Sequence, residues 1–169
     1  SKKFEKTFNM EGENTGAGFC ESHDGGILIA GNVKNETAGT YDIQVVKISA
    51  DGELLWTRTY DRPGNQHAAG IEQKEPENYY IAGTTENAST GTDMLILEIS
   101  ESGELIREKS VESPGTDIVN DFIMTIEGLI LYVGSQNAVS DTQKNILLNF
   151  STDEGKIWWG FEANKDNVI

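Results

Sequence analysis

The sequence predicts an all-β fold of three four-stranded antiparallel meanders packed face against face. Three observations carry this. A short apolar run closed by glycine occurs three times, as "GGILIAGN" at 25–32, "NYYIAGTT" at 78–85 and "GLILYVGS" at 128–135, and Gly31, Gly83 and Gly134 stand 52 and then 51 residues apart. A second segment follows each: "YDIQVVKISADGELLW" (41–56), "TDMLILEISESGELIR" (92–107) and "KNILLNFSTDEGKIWW" (144–159), with Asp42, Asp93 and Asn145 in register. The inner runs are also apolar on successive residues (Ile27-Leu28-Ile29, Leu95-Ile96-Leu97, Ile146-Leu147-Leu148), which suits a strand covered on both faces.

Taken in chain order, "FEKTF" at 4–8 matches "WTRTY" at 56–60 at an offset of 52, so residues 1–10 are expected to hold the fourth-type strand of a preceding unit. The first unit, 11–60, divides at its turn signals into strands near 18–22, 26–32, 42–49 and 53–60, none with a sustained helical period. His23-Asp24-Gly25 and Ala50-Asp51-Gly52 carry tight-turn chemistry, because Asp and Gly tolerate positive φ. The second and third units span 61–111 and 112–162, with 163–169 as a tail. Polar stretches at 34–40, 86–92 and 136–143 join second to third strands and are expected in solvent.

A meander that is apolar on both faces needs a sheet on either side. Radial stacking supplies it, and a period near fifty residues with four strands per unit is that of β-propeller blades. "DGGILIAGN" followed by "DIQVVKISADGELLWTRTY" resembles the roughly fifty-residue blade repeat of bacterial and archaeal surface and secreted propeller proteins. The resemblance runs along nearly the whole chain and is weakest in the third unit, where Asn145 replaces the Asp. It implies a propeller at or outside the cell surface. A β-trefoil also has three units and twelve strands, but a small barrel favours inward and outward alternation over two-sided apolar runs.

Composition narrows the partners. Thirteen Lys and Arg against 28 Asp and Glu give a formal charge of -15, which disfavours phosphate backbones and anionic membranes. A single cysteine, Cys20, excludes an intrachain disulfide framework, and no run reaches the roughly 18 apolar residues of a membrane-spanning helix. Neither a signal peptide nor a transit peptide can be read in this chain.

No residue set forms a catalytic signature. "STDEGKIW" (151–158) resembles the Asp-box of sialidases and other propellers, whose role is to close a hairpin. The arginine cluster of a carboxylate-binding site is missing, since only Arg58, Arg62 and Arg107 are present. His23 reads as a turn residue, and Cys20 as a buried thiol. In a ring, the loops leading into the first strands converge on one face. They carry Glu11, Glu13 and Asn14; Asp61, Asn65 and Gln66; Glu112, Thr116 and Asp117. That acidic mouth is read as a solvated face, with Ca²⁺ as the ion it would take if it bound one. The candidate ligand-binding residues at the mouth are Asn14, Gln66, His67, Asp117 and Asn120. Asn35-Glu36-Thr37 and Asn87-Ala88-Ser89 match the glycosylation triplet in equivalent loops.

Three functional readings follow: a non-catalytic module binding a protein or glycan at its loop face, a hydrolase or lyase with its site at the channel mouth, or a sugar-binding trefoil. Three blades cannot close a ring, since propellers use about four to eight. Either two copies make one six-bladed ring, with Phe4, Phe8, Trp158 and Trp159 at the junction, or the chain is part of a longer propeller.

Overall fold

The computed structural model describes residues 5–8, 12–111, 115–125, 129–137, 144–152 and 157–163. They form twelve strands: β1 Asn14–Glu21, β2 Ile27–Asn35, β3 Thr40–Ile48, β4 Leu54–Tyr60, β5 Gln66–Glu75, β6 Asn78–Asn87, β7 Gly91–Ser100, β8 Leu105–Val111, β9 Gly115–Met124, β10 Leu129–Asn137, β11 Lys144–Thr152 and β12 Ile157–Ala163. The first strand starts earlier than its apolar residues suggest, because its leading residues Asn14 to Ala17 are exposed and polar or small. Residues 5–8 carry no strand, and Lys6 reaches across to the Glu53 carboxylate instead. An outer strand pairs with the third strand of its own meander, and the described residues offer 5–8 no such partner.

Each meander pairs in simple order, β1-β2-β3-β4 in one sheet and the other eight strands in a second. Those eight are two meanders joined by a two-residue parallel bridge, Gly91 to Gly115 and Thr92 to Thr116. This is the blade arrangement. Among the described residues neither a barrel nor a ring closes, and the simple meander order is that of a blade rather than of a trefoil unit.

Packing explains the two-sided apolar runs. In β6 and β7 successive residues point to opposite faces, and each face meets a different sheet. Tyr79, Ile81, Leu95, Leu97 and Ile99 join Leu28, Ala30, Ile43 and Val45 of the first meander in one core. Their neighbours Tyr80, Ala82, Met94 and Ile96 join Val119, Phe122, Ile130 and Tyr132 of the third in another. At roughly 1.5–3 kcal/mol per fully buried large aliphatic side chain, the middle sheet is the main source of cohesion. Strand β5 is the hub, packing against β1, β2 and β3 on one side and β9 on the other.

The recurring glycines have a steric cause. A Cβ at Gly31, Gly83 or Gly134 would collide with the carbonyl oxygen of Thr15, His67 or Ile118 on the adjacent first strand. At that point each first strand bulges by one residue, Ala17, Ala69 and Asn120 respectively. Just beyond the bulge, the inner strands of neighbouring meanders touch almost backbone to backbone, with a Cβ on Gly18 only 2.9 Å from Gly70 Cα.

Candidate functional site

One end of the stack carries the β2–β3 and β6–β7 connections and the starts of β5 and β9. A cleft of about 600 Å³ opens there on the second meander at its junction with the third. Its wall is Arg62, Pro63 and Gly64 before β5, Thr85 to Ala88 and Gly91 to Thr92 around the β6–β7 turn, Ser110 and Thr116. Its uncharged polar side chains are Thr85, Asn87, Thr92, Ser110 and Thr116, set among apolar and main-chain surface.

The cleft is held rigid by local bonds. Gly64 takes a positive φ of 86°, letting the chain turn so that Asn65 N–H donates to the Glu86 carboxylate at 3.1 Å and Glu86 N–H donates to Asn65 O at 2.8 Å. Asn65 Oδ1 accepts from Tyr41 N–H at 2.9 Å, which ties the loop to the first meander. Arg62 is fixed by Glu108 at 2.6 Å. On the far wall Gly115 N–H donates to Thr90 O, and Ser89 N–H donates to Asn87 Oδ1, both at 3.0 Å. Both charged groups of the cleft, Arg62 and Glu86, thus already have protein partners, and its remaining side-chain polar groups are neutral.

Of the expected mouth residues, Asn14, Gln66, His67 and Asp117 lie at strand starts at this end of the fold, whereas Asn120 lies midway along β9. Asn14, Gln66 and Asp117 occupy equivalent places at the starts of β1, β5 and β9. Two of them brace their own loops in the same way: Asn14 Nδ2 donates to Gly12 O and Gln66 Nε2 to Gly64 O, each at 2.9 Å. Gln66 also reaches Arg62 O and Pro63 O, and is fully buried, as is Asp117. His67 is exposed, its ring 5.6 Å from that of Tyr41. Asn120 is the exposed bulge residue of β9. Among the described residues no group of three or more His, Cys, Asp and Glu is placed to hold a metal ion. Nearby, burial raises the Asp42 carboxyl above its ordinary range, with Asp61 adding to the shift and Asn35 opposing it.

Of the expected junction residues, Phe8 is half-buried outside any strand, and Phe4 lies outside the described residues. On β12 the register sets Trp159 opposite Phe150, as Trp56 stands opposite Lys47, and leaves Trp158 at the bulge; their side chains lie outside what is described. Trp56 itself packs between blades and donates from Nε1 to Glu101 O at 3.2 Å.

A second cluster, at the opposite end between the first and second meanders, was not expected from sequence. Lys47, 3% exposed, pairs with Asp24 at 2.9 Å and with Glu101. Tyr79 OH bonds both Glu101 and Ser22. The Lys47 hydrogen bond, helped by Gly26 N–H, holds the Asp24 carboxyl down at about 2. Ser22, Tyr79 and Lys47 have the chemistry of a catalytic trio, but Ser22 and Tyr79 are closed off, and the Lys47 ammonium is occupied as a donor to two carboxylates. The network works as an inter-blade clamp. Its sequence signal is the lone lysine in the otherwise apolar "VVKI" (45–48). The Cys20 thiol is pushed up to about 12, chiefly by burial and then by Glu72.

No family model matches the chain, and no curated protein matches it. Among solved structures it is similar to an acylaminoacyl peptidase from Pyrococcus horikoshii, at 9% identity and a TM-score of 0.52, over 83% of this chain and 23% of that one. It is similar also to a variant of the Synechocystis apocarotenoid oxygenase, at 10% identity and a TM-score of 0.50, over 85% of this chain and 37% of that one. Both are of β-propeller type. Similarity at this identity is one of fold, and the chain spans well under half the length of either protein.

Proposed function

We propose that this chain is a non-catalytic binding module of the β-propeller type, built on the fifty-residue blade repeat, that takes a polar and largely uncharged ligand at its loop face. A glycan or a protein loop has the matching chemistry. The observation that carries this reading is the cleft of about 600 Å³ beside Gly64 and Gly91: it sets five uncharged polar side chains, Thr85, Asn87, Thr92, Ser110 and Thr116, among apolar surface, and it is held by main-chain bonds. Such a surface is pre-organised for hydrogen bonding and presents no activated nucleophile or free base. The enzyme reading asks His67, Asp117 and Asn120 to act together, yet His67 and Asn120 are exposed while Asp117 is fully buried.

Glycan and peptide arrays, followed by titration of a hit, test the proposal. Ala88→Trp, at an exposed turn position on the wall, is expected to abolish binding with an unchanged melting curve. Binding indifferent to that substitution would remove the cleft from the account. Turnover of a hydrolase or lyase substrate, lost on changing His67 alone, would replace it with the enzyme reading.

A further inference from the structure

We infer that the two outer faces of the stack are the two halves of one interface, and that a second copy of this chain covers them, head to tail. The chain makes the same sheet-on-sheet interface twice internally, so each position can be compared across three meanders. Phe19, Ile71 and Phe122 are equivalent on the first strands; the latter two are 3% and 4% exposed against the preceding sheet, whereas Phe19 is 76% exposed. Ile29 is half-buried where Ile81 and Tyr132 are buried, and Val46 is half-buried where Leu97 is buried. At the other end, Val133 is 37% exposed where Ala30 and Ala82 are 0% and 1%, and Leu131 is half-buried where Leu28 and Tyr80 are buried.

Exposure alone would not carry this. Leu54 and Leu105, and likewise Leu55 and Ile106, are exposed to nearly equal degrees in the first and second meanders; they are exposed because of their place on an outer strand. Phe19 and Val133 differ from their equivalents in having no neighbouring sheet over them among the described residues. What fits each is therefore a sheet of the same kind, presenting the opposite face. One chain carries both faces, so a two-fold pair satisfies both junctions at once and gives six sheets, within the range of about four to eight that closed rings use.

Sedimentation equilibrium over a wide range of protein concentration tests this. The wild type is expected at twice 18.5 kDa. Phe19→Glu and Val133→Glu, on opposite faces, should each weaken association by roughly a hundredfold or more, since each buries a charge without a partner, while Ile106→Glu should not weaken it. Mixing the two face variants should restore some pairing, because the intact face of each meets the intact face of the other. A wild type that stays monomeric at every concentration would overturn the proposal and give both faces to flanking sheets of a larger chain. Val133→Glu leaving the doubled mass intact would overturn the head-to-tail arrangement. The wild-type measurement decides the first point even where a variant fails to fold.

Discussion

Lys47 is the residue whose environment departs furthest from its surroundings in sequence. Its ammonium is desolvated between two sheets, and Asp24, Glu101 and Ser22 replace the lost water. Lys47→Met is expected to destabilise the fold by about 2 kcal/mol, the scale of charge-assisted hydrogen bonds lost from a buried site; chemical denaturation measures it, and an unchanged midpoint would show the clamp to be idle. Asp24 supplies a pH test. Its folded-state carboxyl sits at about 2 against an ordinary 3.8, so its contribution is present above the ordinary value and is lost as pH falls through about 2. Asp24→Asn should thus cost stability at neutral pH, by less than about 1 kcal/mol because the side chain is half-exposed. The gap from wild type should close between pH 3.8 and 2. The sequence made Asp24 legible as a turn residue but hid its partner, since a lysine on an apolar strand does not say which residues of the next sheet will meet it. Cys20, expected to be buried, is half-buried, and its raised thiol predicts slow alkylation at neutral pH in the folded protein, with rapid reaction once denaturant is added.

The strands show which parts of an element a sequence reveals. Two-sided apolar runs identified β2, β6 and β7 because each residue's burial depends on a sheet to one side or the other. The first strands were read too short, since β1 begins on exposed residues. The bulges were not legible at all: Ala17, Ala69 and Asn120 share no side-chain feature, because a bulge is an event of backbone pairing. Their consequence was legible as the glycine within every second strand, which ends its apolar run while the strand itself continues. Gly83→Ala should therefore destabilise by about 1–3 kcal/mol, as overpacking against the His67 carbonyl demands a backbone shift. Gly16→Ala, where an added methyl meets nothing within 4 Å, should stay within about 0.5 kcal/mol of wild type. Thermal melts of the pair separate close approach from simple loss of glycine, and equal effects would refute the steric explanation.

At the scale of the molecule, repeat spacing revealed the stack of sheets but not the cleft, which draws on four separate segments that meet only after the second and third meanders are bridged. The same spacing leads to the expectation of a junction at Phe4, Phe8, Trp158 and Trp159; the interface proposed above uses Phe19, Ile29 and Val46 on one face and Leu131 and Val133 on the other. Charge then makes a prediction about those faces. Each copy carries a formal -15, so bringing two together works against long-range repulsion, while the residues named on the two faces are apolar and have little to lose to salt. Raising ionic strength from about 0.1 M to about 1 M shortens the Debye length from about 10 Å to about 3 Å, which removes repulsion between distant surface carboxylates and leaves the contact intact. Association should therefore strengthen with sodium chloride, and sulfate should strengthen it further by favouring apolar burial. Ligand binding in the cleft, dominated by neutral groups, should change little over the same range. Dissociation by salt would mean that ion pairs hold the junction, and the apolar faces would then need a different occupant.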